Sequence, residues 1–338
     1  MFRENLNKII QRKNLNETEM SQMITEIFSG DITDAQTGAF MAALATKGET
    51  FEELAGAAKA MRRKARRIQN SSATVVDTCG TGGDGANTFN ISTTTAFVVA
   101  GCGVTVAKHG NRSVSSRCGS ADLLEALGVK IDTEPELVEE AVAEIGIGFL
   151  FAPIFHGAMR FAAKARKEVG LRSIFNMLGP LTNPAAANCQ LLGVYRPELT
   201  EMFANALKLL GAKRAFVVHG HDGMDEISTC APTRVSELTG GMIRTYDITP
   251  AQFDIKQAGP AELTGGDPQT NADITNRILK GEKGPKRNIV LLNAAAALVA
   301  AGKAQDFKAG IRLAENSIDT GAALGKLQAL VRFTQDNA

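Results

Sequence analysis

The feature that most constrains this chain is a change of pattern near residue 73. Before it, the apolar residues keep helical spacing; after it, short β-branched runs at 74–77, 104–107, 147–150 and 215–218 alternate with helical stretches. Strands separated by helices in this way predict a largely parallel sheet with helices packed on it. In open sheets of that kind the ligand sits beyond the carboxyl ends of the strands. The segments that leave those strand ends therefore carry the functional information.

The first 70 residues read as helices alone, each opened by a cap. Asn16-x-x-Glu19, Thr33-x-x-Gln36 and Thr50-x-x-Glu53 each precede an apolar stripe, the signature of a capping box at a helix start. Ala39, Ala42, Ala43 and Ala45 in the third helix permit close packing, within the chain or against a second subunit. The expected architecture is α/β: a small all-helical lobe over 1–70, rejoined by helices from about 158–190, and a large lobe over 71–338 with a mainly parallel central sheet flanked by helices. Helices are also expected over 134–145, 197–210, 291–301, 304–316 and 320–334.

Composition removes several classes of function. Hydrophobic residues at 44% and charged residues at 22% are the balance of a folded globular protein. A net charge of +1 supplies no global field for nucleic acid or an acidic membrane surface, and the basic cluster Met61-Arg-Arg-Lys-Ala-Arg-Arg67 reads as a solvated or interface face. No run of about 20 apolar residues is present to span a bilayer, and the N-terminus interleaves charges with its apolar residues, unlike a signal peptide. Five cysteines without a CxxC pair fit reduced thiols in the cytoplasm. With 33 glycines in 338 residues, above the usual share of about 7%, ligand-binding loops are expected.

The first strand runs into Asp77-Thr-Cys-Gly80-Thr-Gly-Gly83-Asp84-Gly85, then Asn87-Thr88-Phe-Asn90-Ile-Ser92-Thr93. Gly80-x-Gly82-x-x-Gly85 formally matches a dinucleotide fingerprint, but that motif needs a helix beginning inside the glycines and an acid ending the second strand. Here the next helix is expected at Ser92 and the second strand ends in Lys108. A loop of bare amides around an anion, next to a helix N-terminus that favours phosphate, fits better. Lys108-His109-Gly110-Asn111-Arg112 through Ser116, with Ser120 opening the next helix, forms a second anion-binding stretch. His109 reads either as a base or as hydrogen-bonding scaffold. After a later strand, Asp225-Glu226 in the loop 219–226 supplies the one or two carboxylates magnesium commonly takes beside substrate phosphate; a solvated acidic turn is the alternative, and His219 and His221 read as scaffold more than as ligands. Arg166, on a helical face with Met159, Ala162 and Ala163, reads either as a clamp for a carboxylate or as an ordinary solvated charge on a helix.

Taken together, Asp77-Thr-Cys-Gly-Thr-Gly-Gly-Asp84, Asn90-Ile-Ser-Thr93, Lys108-His-Gly-Asn-Arg112, Phe175-Asn-Met-Leu-Gly-Pro-Leu-Thr-Asn-Pro184 and Asp225-Glu226 resemble the anthranilate phosphoribosyltransferase family of tryptophan synthesis. The resemblance covers the whole chain. It implies a homodimer through the helical lobe, magnesium, and transfer of 5-phosphoribosyl from 5-phosphoribosyl-1-pyrophosphate to the anthranilate amine with release of pyrophosphate. It implies that Gly80, Gly83, Asp84, Thr88, Asn90, Ser92, Thr93, Lys108 and Ser120 surround the donor. Ser92, Asp225 and Glu226 then hold the metal, and Gly80, His109, Asn111, His156, Arg166 and Gly179 line the anthranilate path. Lys108, Asp225 and Glu226 are the implied catalytic residues. Gly157 departs from the family, which carries proline there.

Overall fold

The computed structural model describes residues 1–70, 72–113 and 117–337. Four helices open the chain, α1 (Phe2–Ile10), α2 (Glu17–Ser29), α3 (Asp34–Lys47) and α4 (Phe51–Lys64). The expected capping boxes are formed at α2, α3 and α4, with Asn16, Thr33 and Thr50 accepting the N3 amides of Glu19, Gln36 and Glu53. These caps satisfy amides that the first turn otherwise leaves unpaired. Glu53 does more than cap: wholly buried, it also accepts the Leu15 amide at 2.9 Å and pairs with Lys47 at 2.9 Å.

The large lobe runs in the order β1 (Val75–Gly80), α5 (Ile91–Gly101), β2 (Thr105–Gly110), α6 (Ser120–Ala126), α7 (Pro135–Glu144) and β3 (Ile147–Phe151). Three helices, α8 (Ala152–Phe155), α9 (Arg160–Val169) and α10 (Ile174–Leu178), then return the chain to the helical lobe, α9 packing on α2 and α3 and α10 on α3 and α4. The chain re-enters the sheet with β4 (Cys189–Gly193), α11 (Leu199–Leu209), β5 (Arg214–Gly220), β6 (Thr233–Thr239) and β7 (Met242–Ile248). It closes with α12 (Pro268–Leu279), α13 (Pro285–Ala300), α14 (Phe307–Asp319) and α15 (Ala322–Asp336).

The seven strands lie in the order β3-β2-β1-β4-β5-β6-β7; β1 to β5 are mutually parallel, while β6 and β7 are antiparallel. The α/β expectation therefore holds, with a mainly parallel sheet. Alternate residues of each strand face opposite layers: Val76, Val106 and Val218 join the core beneath α5 and α13, whereas Val217 and Leu192 join the core shared with α11 and the helical lobe. A parallel sheet covered on both faces buries its strands almost completely, as the unbroken burial of β4 and most of β5 shows.

Three strands lie outside the expected set. β4 falls at the end of a stretch with helical character, and β6 and β7 have no counterpart among the expected elements. β4 contains Gln190 and Gly193 and no β-branched residue, so it lacks the usual strand signature. It is nevertheless central, because parallel partners on both sides bury it. Gln190 is accommodated there by donating to the Pro180 carbonyl at 2.7 Å. For β6 and β7 a signal exists: Gly240 and Gly241 have φ of 55° and 76°, the double positive φ of a tight hairpin.

Candidate active site

Four neighbouring strand ends converge. β1 ends at Gly80 and releases the glycine loop; β2 ends at Gly110 after Lys108 and His109; β4 ends at Gly193; β5 ends at Gly220 and leads to Asp225-Glu226. Gly80 and Gly193 are register partners across β1 and β4. The Thr81 amide donates to the Gly193 carbonyl at 2.9 Å, and the Gly82 amide to Asp225 Oδ2 at 2.8 Å. Both glycines are demanded by close approach: a Cβ on Gly80 would overlap the Asp225 carboxylate, and one on Gly193 its carbonyl. Gly82, Gly83 and Gly85 have φ of 65°, 73° and 72°, a left-handed run that only glycine adopts cheaply.

Helix α5 begins at Ile91 with Asn90 as its cap residue, one position before the expected Ser92. The Ser92 amide donates to Glu226 Oε1 at 3.1 Å. Thr93 is buried, and its hydroxyl has no partner among the described residues. Asn90 is bound into the scaffold at both ends of its amide, donating to the Cys118 carbonyl at 3.1 Å and accepting from Asn271 at 2.9 Å. Thr88 lies at the loop's far side in a bridge to Thr264. Asp84 receives the Ala86 amide at 3.2 Å and faces the Asp225 amide at 3.4 Å.

Lys108, 4% exposed, extends beneath this loop. Its Nζ donates to the Thr78 carbonyl and lies 3.5 Å from Ser92 Oγ. Burial pulls its pKa down, while Asp77, Cys79 and Glu226 pull it back up. Burial pushes Asp225 up, with the nearby Asp84 charge adding to it, and pushes Glu226 up strongly, with the Asp225 charge adding. Lys108 opposes part of the rise at Glu226. Among the described residues no three His, Cys, Asp or Glu side chains form a ready-made metal cage.

On the other side of Lys108, His109 Nδ1 is 3.0 Å from the Gly179 carbonyl, and its Nε2 is buried without a partner among the described residues. The His156 ring stands edge-on to it at 5.0 Å. Burial drives the two imidazoles down, to about 4 and about 3, so both are neutral at pH 7. Arg166 is half-buried on the last turn of α9, 5.9 Å over the Phe175 ring and in no ion pair with a described residue. Asn111 is exposed at the end of β2, and its carbonyl accepts the Ser120 hydroxyl at 3.2 Å. Residues 114–116 of the expected anion-binding stretch lie outside the described residues. His219 behaves as scaffold, 2.7 Å from the Val194 carbonyl, and His221 is exposed beside Asp247.

Sequence alone does not single out several participants. Asp77, wholly buried, accepts the His109 amide at 3.3 Å and the Asn183 side chain at 2.8 Å, and so ties β1, β2 and the segment after Gly179 together beneath the site. Asp77 and Asn183 both stand in recognisable strings, without any sign that they meet. Arg172 and Tyr195 flank the glycine loop from the helical side. A lone arginine in a link carries no local signal of such a role.

Residues 3–65 match the helical bundle domain of a glycosyl transferase family and residues 72–324 match its a/b domain. Fold and site together therefore define a two-domain glycosyl transferase. Curated anthranilate phosphoribosyltransferases of Syntrophobacter fumaroxidans and Desulfosudis oleivorans are each 70% identical to this chain, over 337 and 338 residues that cover 100% of both sequences. The chain belongs to the anthranilate phosphoribosyltransferase family. The enzyme of that name from Thermus thermophilus superposes with a TM-score of 0.92 at 43% identity, covering 98% of this chain and 99% of that one. The Saccharomyces cerevisiae enzyme, solved in complex with PRPP and Mg, superposes with a TM-score of 0.90 at 29% identity over 99% and 98% of the two chains.

Proposed function

We propose that this chain transfers the 5-phosphoribosyl group of 5-phosphoribosyl-1-pyrophosphate to the amine of anthranilate, releasing pyrophosphate, as the second step of tryptophan synthesis from chorismate. The observation that carries the reading is the meeting of the glycine loop, the buried Lys108 and the Asp225-Glu226 pair at adjacent strand ends. The yeast relative's complexes with PRPP and Mg and with 4-fluoroanthranilate support the choice of both substrates.

The donor lies along the amides of Gly80, Gly83 and Asp84, with Ser92, Thr93, Lys108 and Ser120 around its phosphates. Lys108 supplies fixed positive charge where the leaving pyrophosphate gains negative charge, and preorganised donors of this kind stabilise a transition state without reorganising. Magnesium suits the hard carboxylate oxygens that Asp225 and Glu226 bring to the glycine loop and to the start of α5. Ser92, Asp225 and Glu226 would hold it, and when bound it neutralises charge on the departing pyrophosphate. Arg166 and Asn111 orient the acceptor carboxylate, and His109, His156 and Gly179 form the wall beside it. An aniline nitrogen is neutral at pH 7, so positioning dominates over base catalysis, in keeping with two neutral histidines.

The reading includes a division of the chain at about residue 70 and a cytoplasmic homodimer joined through the helical lobe. Ala39, Ala42 and Ala45 remain exposed on α3, a face able to receive a second subunit, and Cys79, Cys102, Cys189 and Cys230 are free thiols suited to a reducing compartment. Light scattering on the eluting protein tests the dimer.

The deciding assay tracks anthranilate fluorescence with and without the phosphoribosyl donor and magnesium. Loss of fluorescence only when both are present is expected. No loss, or phosphorolysis of thymidine or uridine in its place, would reject the assignment in favour of nucleoside phosphorylase chemistry.

A further inference from the structure

The glycine loop is anchored from below by Asp225, yet three of its residues have positive φ and its tip is exposed. Such a run has little intrinsic preference for one shape, so whatever holds it decides how its amides are presented. A second hold comes from the helical side. The last turn of α9, which carries Arg166, closes on Gly170 through a 3.1 Å bond from the Gly170 amide to the Arg166 carbonyl. Two residues later Arg172 donates from Nη2 to the Gly83 carbonyl at 3.1 Å. Its guanidinium lies 3.9 Å from the centre of the Tyr195 ring. Tyr195 stands two residues beyond Gly193, whose carbonyl receives the Thr81 amide. Arg172 therefore joins both sides of the loop, touching Gly83 directly and reaching Thr81 through the segment that carries Tyr195. A Cβ on Gly83 would overlap the guanidinium, so the glycine also makes room for this contact.

We propose that Arg172, stacked on Tyr195, is a positioning residue that braces the glycine loop in its donor-binding shape from the acceptor side of the cleft. The proposal rests on the transferase reading for what the loop binds, and on the geometry alone for the brace. A planar guanidinium is suited to the task because it stacks on a ring and still donates in its own plane, which an ammonium group does not reproduce.

The test pairs hydrogen exchange of the ligand-free protein over residues 80–86 with the KM of each substrate, in Arg172→Ala, Arg172→Lys, Tyr195→Leu and Tyr195→Phe. Melting temperature and circular dichroism check that each variant is folded. Arg172→Ala is expected to speed exchange at Thr81 and Gly82 and to raise the donor KM, each on the order of tenfold, the loss of one charge-assisted hydrogen bond. The anthranilate KM and kcat are expected to move far less. Arg172→Lys and Tyr195→Leu should group with Arg172→Ala, and Tyr195→Phe, which keeps the ring, with wild type. Unchanged exchange in Arg172→Ala, an unchanged donor KM, or wild-type behaviour of Arg172→Lys would each overturn the brace. Failure of the transferase reading is separately visible, as absence of donor-dependent turnover in the wild type, while exchange reports on Arg172 with no substrate present.

Discussion

Replacing Asp77 by Asn isolates the buried network beneath the site. Asp77 is wholly buried, and burial raises its pKa from the ordinary 3.8 to about 6, against the opposing influence of Lys108, Asn183 and the His109 amide. That rise corresponds to about 3 kcal/mol. The folded protein holds this proton more tightly than the unfolded chain does. The stability it contributes is therefore complete below pH 3.8 and is lost as the pH climbs through about 6. Between pH 5 and pH 8 the wild type loses on the order of 1 kcal/mol through this group, a loss Asp77→Asn does not share. The variant has its own cost: two donors, the His109 amide and Asn183 Nδ2, converge on Asp77, and an asparagine there offers one acceptor. Asn183 has no relief in turning over, since its other bonds go to the Ala107 carbonyl and the Ala185 amide. One unpaired buried donor costs about 1–3 kcal/mol. Asp77→Asn should therefore destabilise the protein at pH 5 and do so less at pH 8, by on the order of 1 kcal/mol. Urea unfolding at the two pH values measures this, monitored by circular dichroism because the chain has no Trp. A destabilisation that is constant or grows with pH would refute the assignment of a raised pKa to Asp77.

Other expectations concern the reaction. Arg166→Ala should raise the anthranilate KM and leave the donor KM nearly unchanged, and an unaltered anthranilate KM would remove the carboxylate-binding role. Asp225→Asn combined with Glu226→Gln should lower magnesium-dependent turnover by at least about a hundredfold, the scale of losing preorganised charge stabilisation; full activity would exclude these residues from the site. With His109 and His156 pushed down to about 4 and about 3, the rate should show no histidine ionisation between pH 6 and pH 8. A pKa in that range that disappears in His109→Gln would contradict the neutral wall.

Much of this protein is decided by local physics and is readable in the residues. The capping boxes at Asn16, Thr33 and Thr50 announce their helices because a cap is satisfied within three residues of itself. The glycine loop announces an anion site because bare amides beside a helix N-terminus favour phosphate, whereas Asp225-Glu226 alone reads as a metal pair or as a solvated acidic turn. Strand β4 marks the limit. It is buried along its whole length, so it lacks the one-sided pattern that periodicity detects, and its place at the centre of the sheet is set by its partners on either side.

The roles within the site divide in the same way. Residue type alone points to Lys108, Ser92 and Arg166, but not to Asp77 meeting Asn183 across 106 residues, to Asn90 spending its amide on Cys118 and Asn271, or to Arg172 reaching Gly83 over Tyr195. Such contacts depend on which strand ends the fold brings together. Burial, which drives the histidines down and the carboxylates up, likewise belongs to the packed molecule: a charge loses its water only when the whole fold has closed around it.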